Sequence, residues 1–490
     1  MLFNSVDFLV FFAVVITISV IIKNKNFSYV FLVAVSYIFF YFSNNFLISL
    51  LVFSTVLDFY IAKAIWSTDD KSKKKKLLLI SIIGNLGLLG FFKYADFGIS
   101  QFNDLFKLIG LNDVPLLEIA LPVGISFYTF QTLGYTIDVY RGQLSPAKSF
   151  KEFALFVAFF PQLVAGPILR ASNFLPQIRE KFSQLDAKNY LQQILIQRTN
   201  LKIGLTLMSF GFFKKMFFAD NIAPFVDEIF LNPIGLDSFA IILGTIGFGI
   251  QLYCDFSGYS DIAIGAALIL GFKVPQNFNF PFFATSPAEF WRRWHISLST
   301  WVRDYVFFPM VINNKKSRLR IFSSLFTTMF LIGIWHGAGW NFVIFGIIHG
   351  LYVGIEASIR SMFPSLRNNS FLKSRLGKII SILTTQYLIF LSFLAFRVRD
   401  LEHLSYSIQK LIFIDLEINE ISSFILEHKF PLFLMMLFLI IHYISFRNPK
   451  TLDKISNLKL THWIIFLIII FTSIIFFYDA NPRDFIYFRF

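Results

Sequence analysis

Two histidines, His336 and His295, are the residues of this chain best suited to chemistry. His336 sits in Ile332-Gly333-Ile334-Trp335-His336-Gly337-Ala338-Gly339-Trp340, between two tryptophans and flanked by apolar runs at 325–335 and 341–352. No neighbour in sequence offers it a charge partner. An ionisable group in such surroundings is costly enough that its default reading is functional. Imidazole is also the side chain best able to take a proton near neutral pH. His295 lies 41 residues upstream, in Ser286-Pro287-Ala288-Glu289-Phe290-Trp291-Arg292-Arg293-Trp294-His295. Here Ser286 reads as a helix cap, Pro287 as its first turn, and Glu289 as the residue that reaches back to the cap. On the helix so begun, Glu289 and Arg293 form an i,i+4 pair, and Trp291, His295 and Ser299 share one face. Five of the seven tryptophans (291, 294, 301, 335 and 340) fall in the interval that holds both histidines. They read either as interfacial anchors or as the walls of an aromatic chamber around the two imidazoles.

The other chemistries that histidine and serine support lack their signatures. There is no His-Glu-x-x-His, and the single Cys254 forms no Cys-x-x-Cys, so no metal site and no bound cofactor are expected. Gly124-Ile125-Ser126-Phe127 and Phe256-Ser257-Gly258 both fail the nucleophile-elbow pattern. Rossmann and P-loop motifs are absent as well. With no serine or cysteine nucleophile, the simplest use of a buried histidine is as a general base that deprotonates a hydroxyl for attack on an activated acyl group. His349 follows His336 by thirteen residues. A continuous helix turning roughly 100° per residue puts it on the opposite side, unless Gly337 or Gly339 kinks the chain. His403 and His428 read as loop residues, and His442 and His462 as residues near segment ends.

The elements that position these residues are membrane helices. Of 490 residues 56% are hydrophobic and 15% charged, with a mean hydropathy of +0.64, far from the composition of a soluble domain. The fold class expected is an all-α polytopic membrane protein. Apolar runs recur at 8–22, 29–42, 46–60, 77–92, 116–135, 153–168, 204–219, 239–253, 262–272, 321–335, 342–352, 379–396, 431–444 and 463–478. A full span takes about 20 residues, which predicts on the order of 11 transmembrane helices, with the shorter runs re-entrant or buried. The first run has no basic n-region or cleavage site, so it is read as a retained span rather than a signal peptide. The net charge of +14 is attributed to cytoplasmic loops rather than to nucleic acid. Lys23, Lys25, Lys71, Lys73–Lys76, Lys148 and Lys151 then place the N-terminus outside and the lysine run in a solvated cytoplasmic loop. Residues 170–202 mix basic and amide side chains with Leu and Ile, as amphipathic helices at the interface do. No linker or internal repeat divides the chain, so one domain, residues 1–490, is expected.

These motifs, taken in order, resemble the membrane-bound O-acyltransferase family, in particular its bacterial branch that O-acetylates alginate and related polysaccharides and its relative that transfers D-alanine to teichoic acid. Trp335-His336-Gly337-Ala338-Gly339-Trp340 and the segment 287–299 around His295 carry the likeness. So do Leu121-Pro122-Val123-Gly124-Ile125-Ser126-Phe127, Ile137-Asp138-Val139-Tyr140-Arg141-Gly142, the stretch 160–168, Gly258-Tyr259-Ser260-Asp261, Pro275-Gln276-Asn277-Phe278-Asn279-Phe280-Pro281 and the tail 485–490.

The resemblance implies that His336 is the principal catalytic histidine and His295 the second signature residue. It implies a helical bundle with re-entrant and interfacial helices around a central tunnel, for which Trp291, Trp335 and Asp261 are candidate lining residues. An acyl group, expected to be acetyl from acetyl-CoA as co-substrate, enters from the cytoplasm. His336 acts as base on an acceptor hydroxyl arriving from the other side, while His295 orients the acyl carbonyl or stabilises the oxyanion as a donor. The hydroxyl belongs to a cell-surface polysaccharide or to a periplasmic acyl-transferring partner protein, and the setting is the cytoplasmic (inner) membrane. Alginate, peptidoglycan, another wall polymer and teichoic acid stay open as acceptors, as does acetyl against D-alanyl. The rival reading is a transporter or flippase that relays protons through its histidines, although no inverted repeat of the kind such proteins show is seen.

Overall fold

A computed structural model describes the chain except for residues 2, 22–23, 165, 184–197, 313–316, 479–482 and 487–490, and the side chains of residues 25, 198, 199 and 367. Lys23, the middle of the amphipathic segment 170–202 and the end of the tail therefore lie outside the described residues. Among the described residues all regular structure is helical. Among those residues seven helical segments are long and apolar enough to cross a membrane, and Val6–Ile21 and Leu460–Phe476 are shorter apolar helices. The first of the seven is itself two helices, Lys25–Asn44 and Ile48–Trp66, joined by a 3-10 turn at Asn45–Leu47. The protein is an all-α, multi-pass membrane protein.

Apolarity has two different causes here. The most apolar window of Ser238–Ile269 is 78% buried inside the protein, whereas that of Lys71–Leu108 is only 17% buried. The first is hydrophobic because it is core, the second because its surroundings are lipid. The run at 153–168 is also core. Phe159 leaves the helix just before Phe160 and Pro161, which splits the run into Phe150–Ala158 and Phe160–Leu163, with Phe153, Phe156, Phe159 and Phe160 fully buried.

The chain packs as two compact units. The first comprises Met1–Met208 and Tyr259–Pro275. Within it Asp58, on Ile48–Trp66, is completely buried and accepts hydrogen bonds from Ser81 Oγ, Thr136 Oγ1 (2.9 Å) and Asn85 Nδ2 (2.8 Å). An acid that would be costly in hydrocarbon is thus satisfied by neutral donors from two neighbouring helices. The lysine run is not a loop. Lys71–Lys76 form the first turns of Lys71–Leu108, capped by Asp70, which accepts the Ser72 N–H at 2.8 Å. The cap and the good helix propensity of lysine extend the helix past its apolar part. Of the amphipathic segment, Ala171–Ser183 is helical and buries Ala171, Phe174, Leu175, Ile178 and Phe182 on one side.

The second unit comprises Ser209–Gly258 and Gln276–Phe490. Within it Arg318–His336 and Trp340–Met362 form a hairpin through Gly337-Ala338-Gly339. Small residues set its closeness. A Cβ on Gly333 would come within 2.4 Å of the Gly346 Cα, and one on Gly350 within 2.8 Å of the Phe326 ring. Gly346, Gly350 and Gly354 recur every four residues, so they line one face of a helix, and the opposing Phe330, Phe326 and Phe322 recur at the same spacing. This is the small-xxx-small packing by which membrane helices bring their backbones together.

Candidate active site

The hairpin puts His336 at the last position of its first helix, just before the turn. Its side chain is buried, 4% exposed. Aromatic rings surround it: Trp335 at 4.9 Å between centroids, Phe396 at 4.9 Å edge-on and Phe345 at 5.7 Å edge-on. Phe396 comes from the end of Arg375–Arg397, which the hairpin grips where Asn341 Nδ2 donates to the Ala395 carbonyl at 3.0 Å.

The helix expected to carry both Trp291 and His295 exists only as Pro287–Arg293. Its start is as the sequence predicts, with Ser286 accepting the Glu289 N–H at 3.2 Å and Pro287 in the first turn. Glu289 reaches back one residue further, to the N–H and hydroxyl of Thr285, and pairs with Arg293 at 2.8 Å. The helix then breaks. Trp294 is extended, His295 adopts φ 43°, ψ 53°, and a new helix runs Ile296–Val302. The expected shared face of Trp291, His295 and Ser299 is therefore not formed. The cause is the preceding segment: the Asn279 N–H donates to the Arg293 carbonyl and the Ile296 N–H to the Asn277 carbonyl, both at 2.9 Å. Those bonds take the backbone groups that a continuous helix would use.

His295 is fully buried and meets Phe256 edge-on at 4.6 Å and Trp335 at 6.1 Å. The ring of Trp335 thus contacts both histidines, and this is how the fold brings the two sequence-predicted residues to one place. The tautomer of His295 follows from its partner. Asn277 Oδ1 accepts the Ser297 N–H at 3.2 Å and the Ser297 hydroxyl at 2.8 Å, so that atom is the amide oxygen. The His295 Nδ1, 3.2 Å from the same oxygen, must approach it as N–H. A neutral imidazole carries one proton, so the Nε2 lone pair remains. Burial pushes the His295 imidazole down to about 3, which keeps it neutral near neutral pH.

His349 is completely buried on Trp340–Met362. The break at Gly337–Gly339 removes the continuous-helix geometry that would set it opposite His336, and Phe345 lies against both rings, 4.4 Å from His349 and 5.7 Å from His336. Of the five clustered tryptophans, 291, 294, 301 and 335 are buried and Trp340 is half exposed. Asp261, half-buried on Ser238–Ile269, belongs to the first unit. Two minor histidines, His403 and His442, differ from their sequence reading. His403 is in the first turn of Leu401–Ile412, not a loop. His428 does lie in the turn between Ile418–Glu427 and Lys429–Arg447, buried against Phe225 and Phe424 with its Nε2 3.3 Å from Glu228. His442 is enclosed by Tyr253, Phe280, Phe282, Phe283 and Phe438 rather than interfacial.

One supporting cluster escaped the sequence reading. Lys215, buried in a π-helical turn at Phe213–Ala219, pairs with Asp220 at 2.8 Å and Asp255 at 2.9 Å. Asp255 also accepts the Ile486 N–H at 2.8 Å, and Phe485 packs 5.6 Å from Phe256, the ring that backs His295. Two lysines inside an apolar run were the available signal, since a buried cation implies buried partners.

Comparison with known proteins bears directly on this arrangement. The MBOAT, membrane-bound O-acyltransferase family, matches residues 141–396, a stretch that contains His295, His336 and His349. A protein of Azotobacter vinelandii named "Probable alginate O-acetylase AlgI" is 38% identical over 332 residues, 67% of this chain and 63% of that protein. The "Peptidoglycan O-acetyltransferase" of Helicobacter pylori is 35% identical over 404 residues, 78% of this chain and 73% of that protein. The "Teichoic acid D-alanyltransferase" of Streptococcus thermophilus is 31% identical over 237 residues, 47% of this chain and 55% of that protein. The chain thus spans a little under two thirds of the length of the first of these relatives. The helical fold and these similarities agree, and the chain belongs to the membrane-bound O-acyltransferase family.

Proposed function

We propose that this protein is an O-acyltransferase of the cytoplasmic membrane. It moves an acyl group, acetyl in the favoured reading, from a cytoplasmic thioester such as acetyl-CoA to a hydroxyl on the far side. The hydroxyl belongs to a cell-surface polysaccharide or to a partner protein that passes the group on. The observation that carries the reading is the pair of buried imidazoles on one tryptophan, inside the stretch that matches the family. The names of the relatives support acetyl transfer to a polysaccharide over D-alanyl transfer, because the acetylating proteins match more of the chain.

In the reaction His336 takes the proton of the acceptor hydroxyl as its oxygen attacks the thioester carbonyl carbon. The C–O bond forms, the C–S bond breaks, and the thiolate leaves with the proton that His336 held. Ester and thiol are the products, so atoms and charge balance. His295 orients a reacting group through Nε2. Donation from that nitrogen to an oxyanion would need a second proton, which burial disfavours. The aromatic enclosure keeps water from the thioester and strengthens every polar contact within it.

The test is His336→Ala, purified with the detergent elution profile of the wild type and supplied with labelled acetyl-CoA and candidate polymers. Loss of transfer by about a hundredfold or more is expected for removal of a general base. Undiminished O-acetylation would sink the assignment, and polymer movement into liposomes without donor consumption would point to a transporter instead.

A further inference from the structure

His349 is not assigned a role by the reaction just described, yet both of its ring nitrogens have a hydrogen-bond partner. The Trp291 indole N–H lies 3.1 Å from its Nδ1. An indole nitrogen can only donate, so Nδ1 carries the lone pair and Nε2 the proton. That Nε2–H then donates to Ser392 Oγ at 2.9 Å, and the Ser392 hydroxyl donates onward to the Ile389 carbonyl at 2.6 Å. The chain of hydrogen bonds runs in one direction, and each ring nitrogen of His349 is used. A second proton on the imidazole would face the indole N–H head-on. Loss of the existing proton would leave Ser392 Oγ without its donor.

The rings show what this chain holds. Trp291 meets His349 edge-on at 5.1 Å and Phe345 at 6.5 Å, and Phe345 continues to His336 at 5.7 Å and Phe396 at 5.3 Å. Trp291 comes from Pro287–Arg293, His349 and Phe345 from Trp340–Met362, and Ser392 from Arg375–Arg397. Three helices are therefore fixed to one another at one imidazole, directly behind the wall of His336.

We propose that His349 is a positioning residue for His336: it anchors the Trp291 indole and the Phe345 ring in that wall, and it takes no part in proton transfer. The proposal rests on the acyl-transfer reading for its kinetic consequence, though not for its geometry. The test uses the full-length protein in detergent, with His349→Leu, His349→Gln, Trp291→Phe and the double variant His349→Leu/Trp291→Phe. Displacement of a reacting group by about 1 Å costs on the order of a hundredfold in rate. His349→Leu is accordingly expected to lower kcat by about that factor with little change in KM for the donor. Glutamine, which offers one acceptor and one donor, is expected to restore most of the loss. The double variant is expected to be no slower than His349→Leu. A folded His349→Gln as inactive as His336→Ala would overturn the proposal, and so would additive losses in the double variant. Exchange of the indole N–H, followed in 15N-tryptophan-labelled protein and assigned with Trp291→Phe, gives a readout that needs no activity. Slow exchange in wild type and His349→Gln, and fast exchange in His349→Leu, is the expected pattern. Slow exchange in all three would overturn the anchoring. If His349→Leu does not fold, Ser392→Ala replaces it: it removes the acceptor that fixes the His349 ring and its tautomer, so the indole N–H is expected to exchange faster, and unchanged protection would overturn the anchoring. A wild type that transfers no acyl group refutes the reaction reading alone, because the indole exchange still judges the anchor.

Discussion

His295 is the residue whose chemistry depends most on a partner. Its left-handed backbone is uncommon for a residue with a Cβ, and the bonds from Asn277 to His295, Ile296 and Ser297 are what sustain it. Asn277→Leu removes the acceptor of the His295 Nδ1–H and of two Ser297 donors. Each buried donor left unsatisfied costs about 1–3 kcal/mol, so the variant is expected to melt at a lower temperature and to scramble the His295 tautomer. Thermal unfolding in detergent checks the first, and the 15N resonances of His295, assigned with His295→Gln, check the second. A single Nδ1–H tautomer persisting in Asn277→Leu would mean that some other group sets it.

The glycine-faced hairpin is the element that delivers His336. Its register depends on Gly346, Gly350 and Gly354 meeting Phe330, Phe326 and Phe322 with almost no space between helices. Gly350→Leu is expected to force the pair apart, at a cost of about 1–3 kcal/mol for overpacking, and to reduce acyl transfer through displacement of His336. Gly90, at which an added Cβ meets nothing within 4 Å, is the control: Gly90→Leu should leave both stability and transfer near wild type. Equal behaviour of the two variants would remove the hairpin from the account. The stripe was legible in the sequence as three glycines four residues apart. What the stripe packs against was not, because a helix face does not name its neighbour.

Across the whole molecule, apolarity has two sources, core and lipid, and orientation is argued from charge. Lys71, Lys73, Lys75 and Lys76 are exposed and Lys74 half-buried, on a helix rather than in a loop, and the positive-inside argument applies to charges at a helix end as it does to a loop. Cys254 is buried, so Lys75→Cys, at an exposed position, provides the accessible thiol for a test. An impermeant maleimide should label it in inside-out vesicles and not in right-side-out ones. The reverse pattern would invert the orientation, and with it the side from which the thioester enters.

The sequence alone determined the class of the protein, its helical composition and the Ser286–Pro287 helix start, and it singled out His336 and His295 as candidates, because these depend on composition and on residues a few positions apart. Only the tertiary structure decided the break at His295, the tautomers of His295 and His349, and which tryptophans are buried. Those properties depend on hydrogen bonds between residues distant in the chain, Asn277 with His295, Trp291 with His349 and Ser392 with His349. Periodicity predicts that a helix has an inner face. It is the partner across the core, supplying an oxygen or an N–H at about 3 Å, that decides what an imidazole on that face can do.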